Sequence, residues 1–206
     1  MPDTPKITEA PEITDIRPAV KPITPPGRFV AAVGLLVALW CAGFAGISVW
    51  FEVTAFFATG QYADDATALS VANWFVAVLK LTGVAVALLA ISRPPRFLAP
   101  RIVGALLWAA FATLALYAVG SITQAVVMLT GSAGEADQID ASAIGYVLAF
   151  LLAATGFGIL AVSYARRAGL SRRVMWIGAS GGPLVLGSVF VALPAILRAV
   201  ALMSVS

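Results

Sequence analysis

Residues Phe29–Phe51 read FVAAVGLLVALWCAGFAGISVWF, a continuous apolar run without a single charged side chain. About 20 such residues allow an α-helix to cross the ~30 Å hydrocarbon core of a bilayer. Lipid offers the backbone no hydrogen-bond partner, so a crossing segment must pair its N–H and C=O groups internally, as a helix does. This run therefore predicts a transmembrane helix, with apolar sequence continuing to Ala58.

Four more apolar runs of similar length follow. The predicted helices cover about 29–58, 66–91, 102–130, 141–165 and 174–203. The overall composition agrees, because 61% of the residues are hydrophobic and only 11% are charged, whereas soluble globular chains carry about a quarter charged residues. We therefore predict an all-α integral membrane protein, a five-transmembrane-helix bundle formed by residues 29–206, with no separate soluble domain.

The N-terminal segment, residues 1–28, differs from the rest of the chain. It contains seven of the 12 prolines, scattered among charged and polar residues, and no apolar period develops. Such composition is typical of a disordered tail with polyproline II character. It is too long and too polar to be the start of a signal peptide. The tail is either a docking segment for a cytoplasmic partner or an unconstrained extension.

The charged residues alternate between the two sides of the predicted bundle. Eleven of the 13 basic residues fall in the tail, in residues 92–101 and in residues 166–173. The other two connections carry only acidic charges, which solubilise short loops or attract cations. The positive-inside rule then predicts a cytoplasmic N-terminus and an extracytoplasmic C-terminus. The excess of Arg over Lys favours a bacterial protein, and hence a multi-pass protein of the cell (inner) membrane.

Several classes of chemistry lack the residues that they require. The chain contains no histidine and one cysteine, Cys41, which excludes histidine metal sites, the Ser-His-Asp triad and a disulfide within the chain. The glycine-rich stretch at 178–183 lacks the lysine of a phosphate-binding loop. We therefore predict no catalytic residue, no metal site, no cofactor and no enzymatic activity. The net charge of +3 is too small to indicate a nucleic-acid partner.

Lys80 is the charged residue that topology does not explain. It lies midway along the second predicted helix, where a lysine costs roughly 2.5–3.5 kcal/mol on insertion scales. We expect it to face the bundle interior, a cavity or a partner chain. Tyr117 and Thr155 lie at similar depth and are its candidate neighbours in a binding or coupling site. The alternative is a structural lysine that reaches towards the interface or ties helices together.

Glu52 and Arg198 lie near the outer ends of the first and fifth predicted helices, and we expect them to form an ion pair at the outer interface. In the fifth helix, Gly178, Gly181, Gly182 and Pro183 interrupt the apolar pattern. They indicate either a helix break that exposes carbonyls to a ligand or a close, kinked helix contact.

Two function classes follow, with a third behind them. The first is a non-enzymatic accessory or scaffold subunit of a membrane complex, in contact with the lipid bilayer and with other membrane chains or further copies of itself. The second is a small transporter or channel-forming protomer that uses Lys80 and the Gly181–Pro183 segment to bind an anionic or lipid-like substrate. The third is a lipid-modifying membrane enzyme.

Overall fold

A computed structural model describes residues 23–92, 98–130 and 141–205, with side chains except at 61, 62, 64, 143 and from 189 onward. These residues are helical, without a strand in the described ranges, which confirms the all-α prediction for them. The predicted tail lies outside the described residues up to position 22. The α-helices are α1 (Arg28–Val53), α2 (Ala66–Ile91), α3 (Pro100–Leu129), α4 (Ala141–Ala168) and α5 (Arg172–Val205).

Four of these helices are long and apolar enough to cross a membrane, namely α1, α2, α3 and the part of α4 from Ile144 to Ala168. The chain is thus a multi-pass membrane protein by the length and composition of its helices. The fifth helix, α5, forms where the sequence predicts it, but it is the least apolar of the five. It begins with Arg172 and Arg173 and carries the glycine-rich stretch. A fifth span therefore stays a prediction.

The first helix is shorter than the apolar sequence suggests. It ends at Val53 instead of residue 58, and two 3-10 helices, Phe56–Ala58 and Gly60–Asp65, lead into α2. Ala55 has a φ of 49°, a left-handed conformation that an α-helix cannot continue. The Thr54 hydroxyl donates a hydrogen bond to the Trp50 carbonyl at 2.8 Å in the last turn.

The helices form two groups. In the first group α1 packs on α2, and in the second α3 packs on both α4 and α5. Contacts between α1 and α4 connect the two groups. We call the end where α1, α3 and α5 begin the arginine-rich end, and the opposite end the acidic-loop end. The buried core lies towards the arginine-rich end and consists of Val37, Ala38, Cys41, Val86, Ala87, Ala90, Val103, Leu107, Phe157, Leu160, Ala161 and Tyr164.

The acidic-loop half of the bundle is packed much more loosely. Beyond Ala118, most side chains of α3 are exposed to the surroundings, and so are most of those in the first three turns of α4. Leu129 and Leu152, for example, are 66% and 72% exposed. Consequently, α1 and α2 are the well-paired helices in this half, and the candidate site lies between them.

Candidate functional site

Lys80 projects from α2 onto α1 and is only half-buried. Its Nζ donates hydrogen bonds to the Phe44 carbonyl at 3.2 Å and to the Ser48 Oγ at 3.0 Å. The same ammonium lies 5.4 Å from the centre of the Phe44 ring, within the range of a cation–π interaction. Lys80 therefore has a carbonyl, a hydroxyl and an aromatic ring of the neighbouring helix as its partners.

A second set of polar contacts lies closer to the acidic-loop end. Asn73 Nδ2 donates to the Ser48 carbonyl at 2.8 Å and to Glu52 Oε1 at 2.7 Å. Ser70 Oγ donates to Glu52 Oε2 at 2.5 Å. Both oxygens of the Glu52 carboxylate thus accept hydrogen bonds from α2, and the two sets of contacts meet at Ser48.

We call these groups together the polar seam: Ser48, Glu52 and the Phe44 carbonyl on α1, with Ser70, Asn73 and Lys80 on α2. From Glu52 to Phe44 the seam runs eight residues along α1, or about 12 Å at 1.5 Å per residue. It therefore extends from the acidic-loop end of α1 to the middle of the helix. The hydrogen bonds of Lys80 and those of Glu52 adjoin at Ser48, which accepts from Lys80 through its hydroxyl and from Asn73 through its carbonyl.

The seam follows a heptad pattern that can be read in the sequence. On α1, Ala45, Ser48 and Glu52 succeed one another at intervals of three and four residues, as Ser70, Asn73, Ala77 and Lys80 do on α2. Such spacing keeps side chains on one face of a helix and directs them at a paired neighbour. Ala45, Ser48 and Ala77 are almost fully buried, in agreement with a close contact.

Hydrogen bonding to α1 explains how the seam tolerates a central lysine. An isolated ammonium in hydrocarbon is costly, and an isolated carboxylate is costly for the same reason. Here Lys80 bonds the hydroxyl of Ser48, while Asn73 bonds both the carbonyl of Ser48 and the carboxylate of Glu52. Networks of this kind are stable when each member is paired, and they become costly when one member is removed.

Tyr117 and Thr155, the two expected neighbours of Lys80, contact other groups. The Thr155 hydroxyl donates to the Leu151 carbonyl at 2.9 Å within its own helix. The Tyr117 ring packs on Phe150, with ring centres 4.4 Å apart. Phe150 in turn contacts Trp40 and Phe44, so a cluster of aromatic rings separates Tyr117 from Lys80. The predicted three-residue binding group is therefore not assembled around Lys80.

The expected Glu52–Arg198 ion pair is untested, because the side chain of Arg198 lies outside the described residues. The carboxylate of Glu52 already has Ser70 and Asn73 as its partners.

In α5, the helix continues without interruption through Gly178, Gly181, Gly182 and Pro183. A Cβ at Gly178 would collide with the Ala105 carbonyl, and one at Gly182 would lie 2.8 Å from the Ala109 carbonyl. A Cβ at Gly181 would meet nothing within 4 Å. The geometry is that of a close helix contact with α3, of the kind that small residues permit.

A second tie, at the arginine-rich end, was not foreseen from the sequence. Arg167 Nη1 donates to the Thr24 carbonyl at 3.1 Å, and Nη2 donates to the Ala90 carbonyl at 2.7 Å. The guanidinium carbon also lies 5.6 Å from the centre of the Tyr164 ring. Ala90 lies in the last turn of α2, so Arg167 pairs a carbonyl that the helix leaves free. One arginine thus joins α4, α2 and the segment before α1.

Two clefts on the described residues contain neither Lys80 nor Glu52. One, of about 220 Å³, lies between α1 and α4 and is lined by Phe44, Ser142, Gly145, Tyr146 and Ala149. The other, of about 230 Å³, lies at the arginine-rich end. The described residues include no group of three or more Cys, Asp or Glu side chains that could hold a metal ion. Comparison with known proteins finds no matching family model, no matching curated protein and no matching solved structure.

Proposed function

We propose that this chain is a non-enzymatic accessory or scaffold subunit of a bacterial membrane complex. The observation that carries the proposal is the contrast between its polar groups and its exposed helix faces. Lys80, Glu52 and Arg167 are occupied in ties between helices of the same chain. Meanwhile the outer halves of α3 and α4 leave most of their side chains uncovered.

The exposed part of this α3–α4 hairpin suits a protein partner. It presents Tyr117 and Tyr146, each more than half exposed, beside uncovered glycines at positions 120 and 145. A Cβ at either glycine would meet nothing within 4 Å. In membranes, small residues permit helices to approach closely, and hydroxyl groups add hydrogen bonds across the contact. A partner helix seated on this surface would give the hairpin the packing that α1 and α2 find in each other.

Photo-crosslinking in native membranes tests the proposal. A photoreactive amino acid placed at Tyr117 or Tyr146 is expected to give a discrete adduct with a different membrane protein. The matched control position is Leu36, which is 66% exposed on α1 near the arginine-rich end and is expected to give lipid adducts alone. Adducts that contain only lipid or second copies of this chain at all three positions would contradict the accessory role.

The proposed topology has α5 as a fifth span, a cytoplasmic N-terminus and an extracytoplasmic C-terminus. It rests on the grouping of the basic residues, since topology follows the Lys and Arg content of short loops. Reporter fusions at residue 206 are expected to be active outside the cytoplasm. Activity in the cytoplasm would reduce the spans to four.

A small transporter or channel-forming protomer is the second candidate, and the polar seam is the observation that favours it. The seam provides a continuous line of polar atoms from the acidic-loop end of α1 to the middle of the helix. Polar residues within spans commonly mark ion or substrate pathways. Flux of a small anion into liposomes, compared between the parent and Lys80→Met, tests this candidate. It fails if the parent shows no flux or if the substitution leaves flux unchanged.

A further inference from the structure

The arginine-rich end concentrates positive charge. The arginines at positions 28, 101, 166, 172 and 173 are all exposed there. The carboxylates whose side chains the structure describes, Glu52 and Asp65, lie at the acidic-loop end. Exposed positive charge at a membrane surface attracts anionic headgroups by about 1 kcal/mol for each Lys or Arg. A specific lipid site must therefore bind an anionic headgroup more tightly than this general attraction does.

The backbone at this end strengthens the positive potential. One carbonyl near the end of α2 and one near the end of α4 are paired within the chain, Ala90 with Arg167 at 2.7 Å and Ala165 with the Leu170 N–H at 3.0 Å. The latter bond closes a turn in which Gly169 has a φ of 61°. By contrast, α1 and α3 begin without a side-chain cap, and the positive ends of their helix dipoles lie here. At the start of α3, Pro100 has no N–H and the Ile102 N–H donates to the Ala99 carbonyl at 2.9 Å.

A cleft of about 230 Å³ opens at this end, between the start of α3 and the turn that joins α4 to α5. It is lined by Pro100, Arg101, Ala168, Gly169, Leu170 and Ser171. Arg101 supplies a guanidinium and Ser171 a hydroxyl, and both residues are exposed. Because spans end at Ala168 and begin at Pro100, the cleft lies at the depth of the lipid headgroups.

An apolar and an aromatic residue lie within five positions of the cleft-lining residues in the sequence. Ile102 follows Arg101 on α3 and is 52% exposed, and Trp176, in the first turns of α5, is 73% exposed. Tryptophan favours the boundary between headgroups and acyl chains. An amphiphile with its head in the cleft would therefore find apolar surface for its chains beside it.

We infer that this cleft binds the phosphodiester group of an anionic phospholipid. A guanidinium offers paired N–H donors that match two phosphate oxygens, and a serine hydroxyl can donate to a third. Because the cleft lies at the depth of the headgroups, we expect it to bind the phosphate of a lipid in preference to free phosphate from solution. The inference is independent of which partner or substrate the chain serves.

Spin-labelled lipids test the site. The parent protein, reconstituted in phosphatidylcholine vesicles, is expected to immobilise spin-labelled phosphatidylglycerol in preference to spin-labelled phosphatidylcholine. Arg101→Gln is expected to reduce that preference at least about tenfold, because it removes the paired hydrogen bonds to the phosphate as well as one surface charge. The matched control is Arg166→Gln, which removes the same charge from the same end but does not line the cleft. It is expected to reduce the preference by at most about fivefold, the size of the general attraction to one surface charge.

Three results would overturn the inference. They are an absence of preference in the parent, an equal loss in both variants, and displacement of the spin-labelled lipid by inorganic phosphate. An equal loss would mean that only the general surface charge acts, and displacement would mean that the cleft takes free phosphate. If Arg101→Gln does not fold, Arg101→Lys and Ser171→Ala serve instead. Arg101→Lys keeps the charge but loses the paired donors, so its preference is expected to fall as well.

Discussion

The two halves of this bundle are stabilised by different kinds of contact. Near the arginine-rich end, side chains of α1, α2, α3 and α4 enclose a common apolar core, and residues such as Leu107 and Tyr164 are almost fully buried. Near the acidic-loop end, the polar seam joins α1 to α2, while α3 and α4 are largely uncovered. At the arginine-rich end apolar packing, together with the hydrogen bonds of Arg167, thus unites four helices, whereas at the acidic-loop end the polar seam unites α1 and α2.

The difference shows what polar residues do inside a membrane. Lipid tails are as apolar as a leucine side chain, so an apolar helix face gains little by exchanging lipid for another helix. Apolar contacts therefore do little to select one neighbouring helix over another. A hydrogen-bonded network is directional, and it selects one neighbour and one register. The seam is therefore able to fix the α1–α2 hairpin in a half of the molecule where little else is packed.

The largest effect is expected at the arginine-rich end. Arg167→Gln removes charge-assisted hydrogen bonds to the Thr24 and Ala90 carbonyls, each worth about 1.5–3 kcal/mol. We expect a loss of roughly 3 kcal/mol in the free energy of unfolding, measured by titration with a denaturing detergent. The neighbouring Arg166→Gln, at an exposed position, is the control and is expected to change stability little. Equal losses in the two variants would show that Arg167 acts only as a topology signal.

A somewhat smaller effect is expected where α5 meets α3. Gly178→Ala places a methyl group against the Ala105 carbonyl, so the two helices must move apart. Overpacking of this kind costs about 1–3 kcal/mol. Gly181→Ala, on the same helix but with nothing within 4 Å, is expected to be neutral. Thermal denaturation in detergent would measure both, and a neutral Gly178→Ala would contradict the close contact.

The polar seam predicts coupling between Glu52 and Lys80. Each single variant, Glu52→Gln or Lys80→Met, removes hydrogen bonds of the seam and leaves their partners unpaired, and we expect each to lose about 1–2 kcal/mol of stability. The double variant removes both charges and is expected to lose less than the sum of the two, with a coupling energy of about 1 kcal/mol. Strict additivity in the detergent titration would mean that the two charges do not share a network.

The smallest effects are expected at the residues that the depth argument grouped with Lys80. Thr155→Val removes a hydroxyl that bonds only within its own helix, and Tyr117→Phe keeps the ring that packs on Phe150. Both are expected to alter stability by less than about 0.5 kcal/mol. A change of the Glu52–Lys80 coupling energy in either variant would place that residue in the network after all.

Parts of the site were accessible to sequence reasoning. The depth of Lys80 predicted that it faces the bundle interior, a cavity or a partner chain, and in the structure its hydrogen bonds go to α1. Its partners were missed because the position of a residue along its helix gives its depth in the membrane, but does not show which neighbouring helix it contacts. The heptad spacing of Ser48 with Glu52, and of Asn73 with Lys80, was the signal that pointed to a paired face.

Arg166 and Arg167 show a limit that no counting of charges overcomes. Both satisfy the same topology rule, yet only Arg167 contacts the carbonyls of Thr24 and Ala90. With 3.6 residues per turn, adjacent residues differ by about 100° around the helix axis. Which of the two faces the bundle depends on how α4 is rotated, and packing with α1 and α3 determines that rotation.

By itself, the sequence determined that this chain is a multi-pass membrane protein, because apolar runs of membrane-spanning length form helices in lipid. It also determined where each helix lies, apart from the early end of α1 at Val53. The tertiary structure alone decided that Lys80 is paired, that Arg167 ties three segments together and that α5 is unbroken at its glycines. These outcomes depend on which helix faces pack together, and that packing is decided by contacts between residues far apart in the sequence.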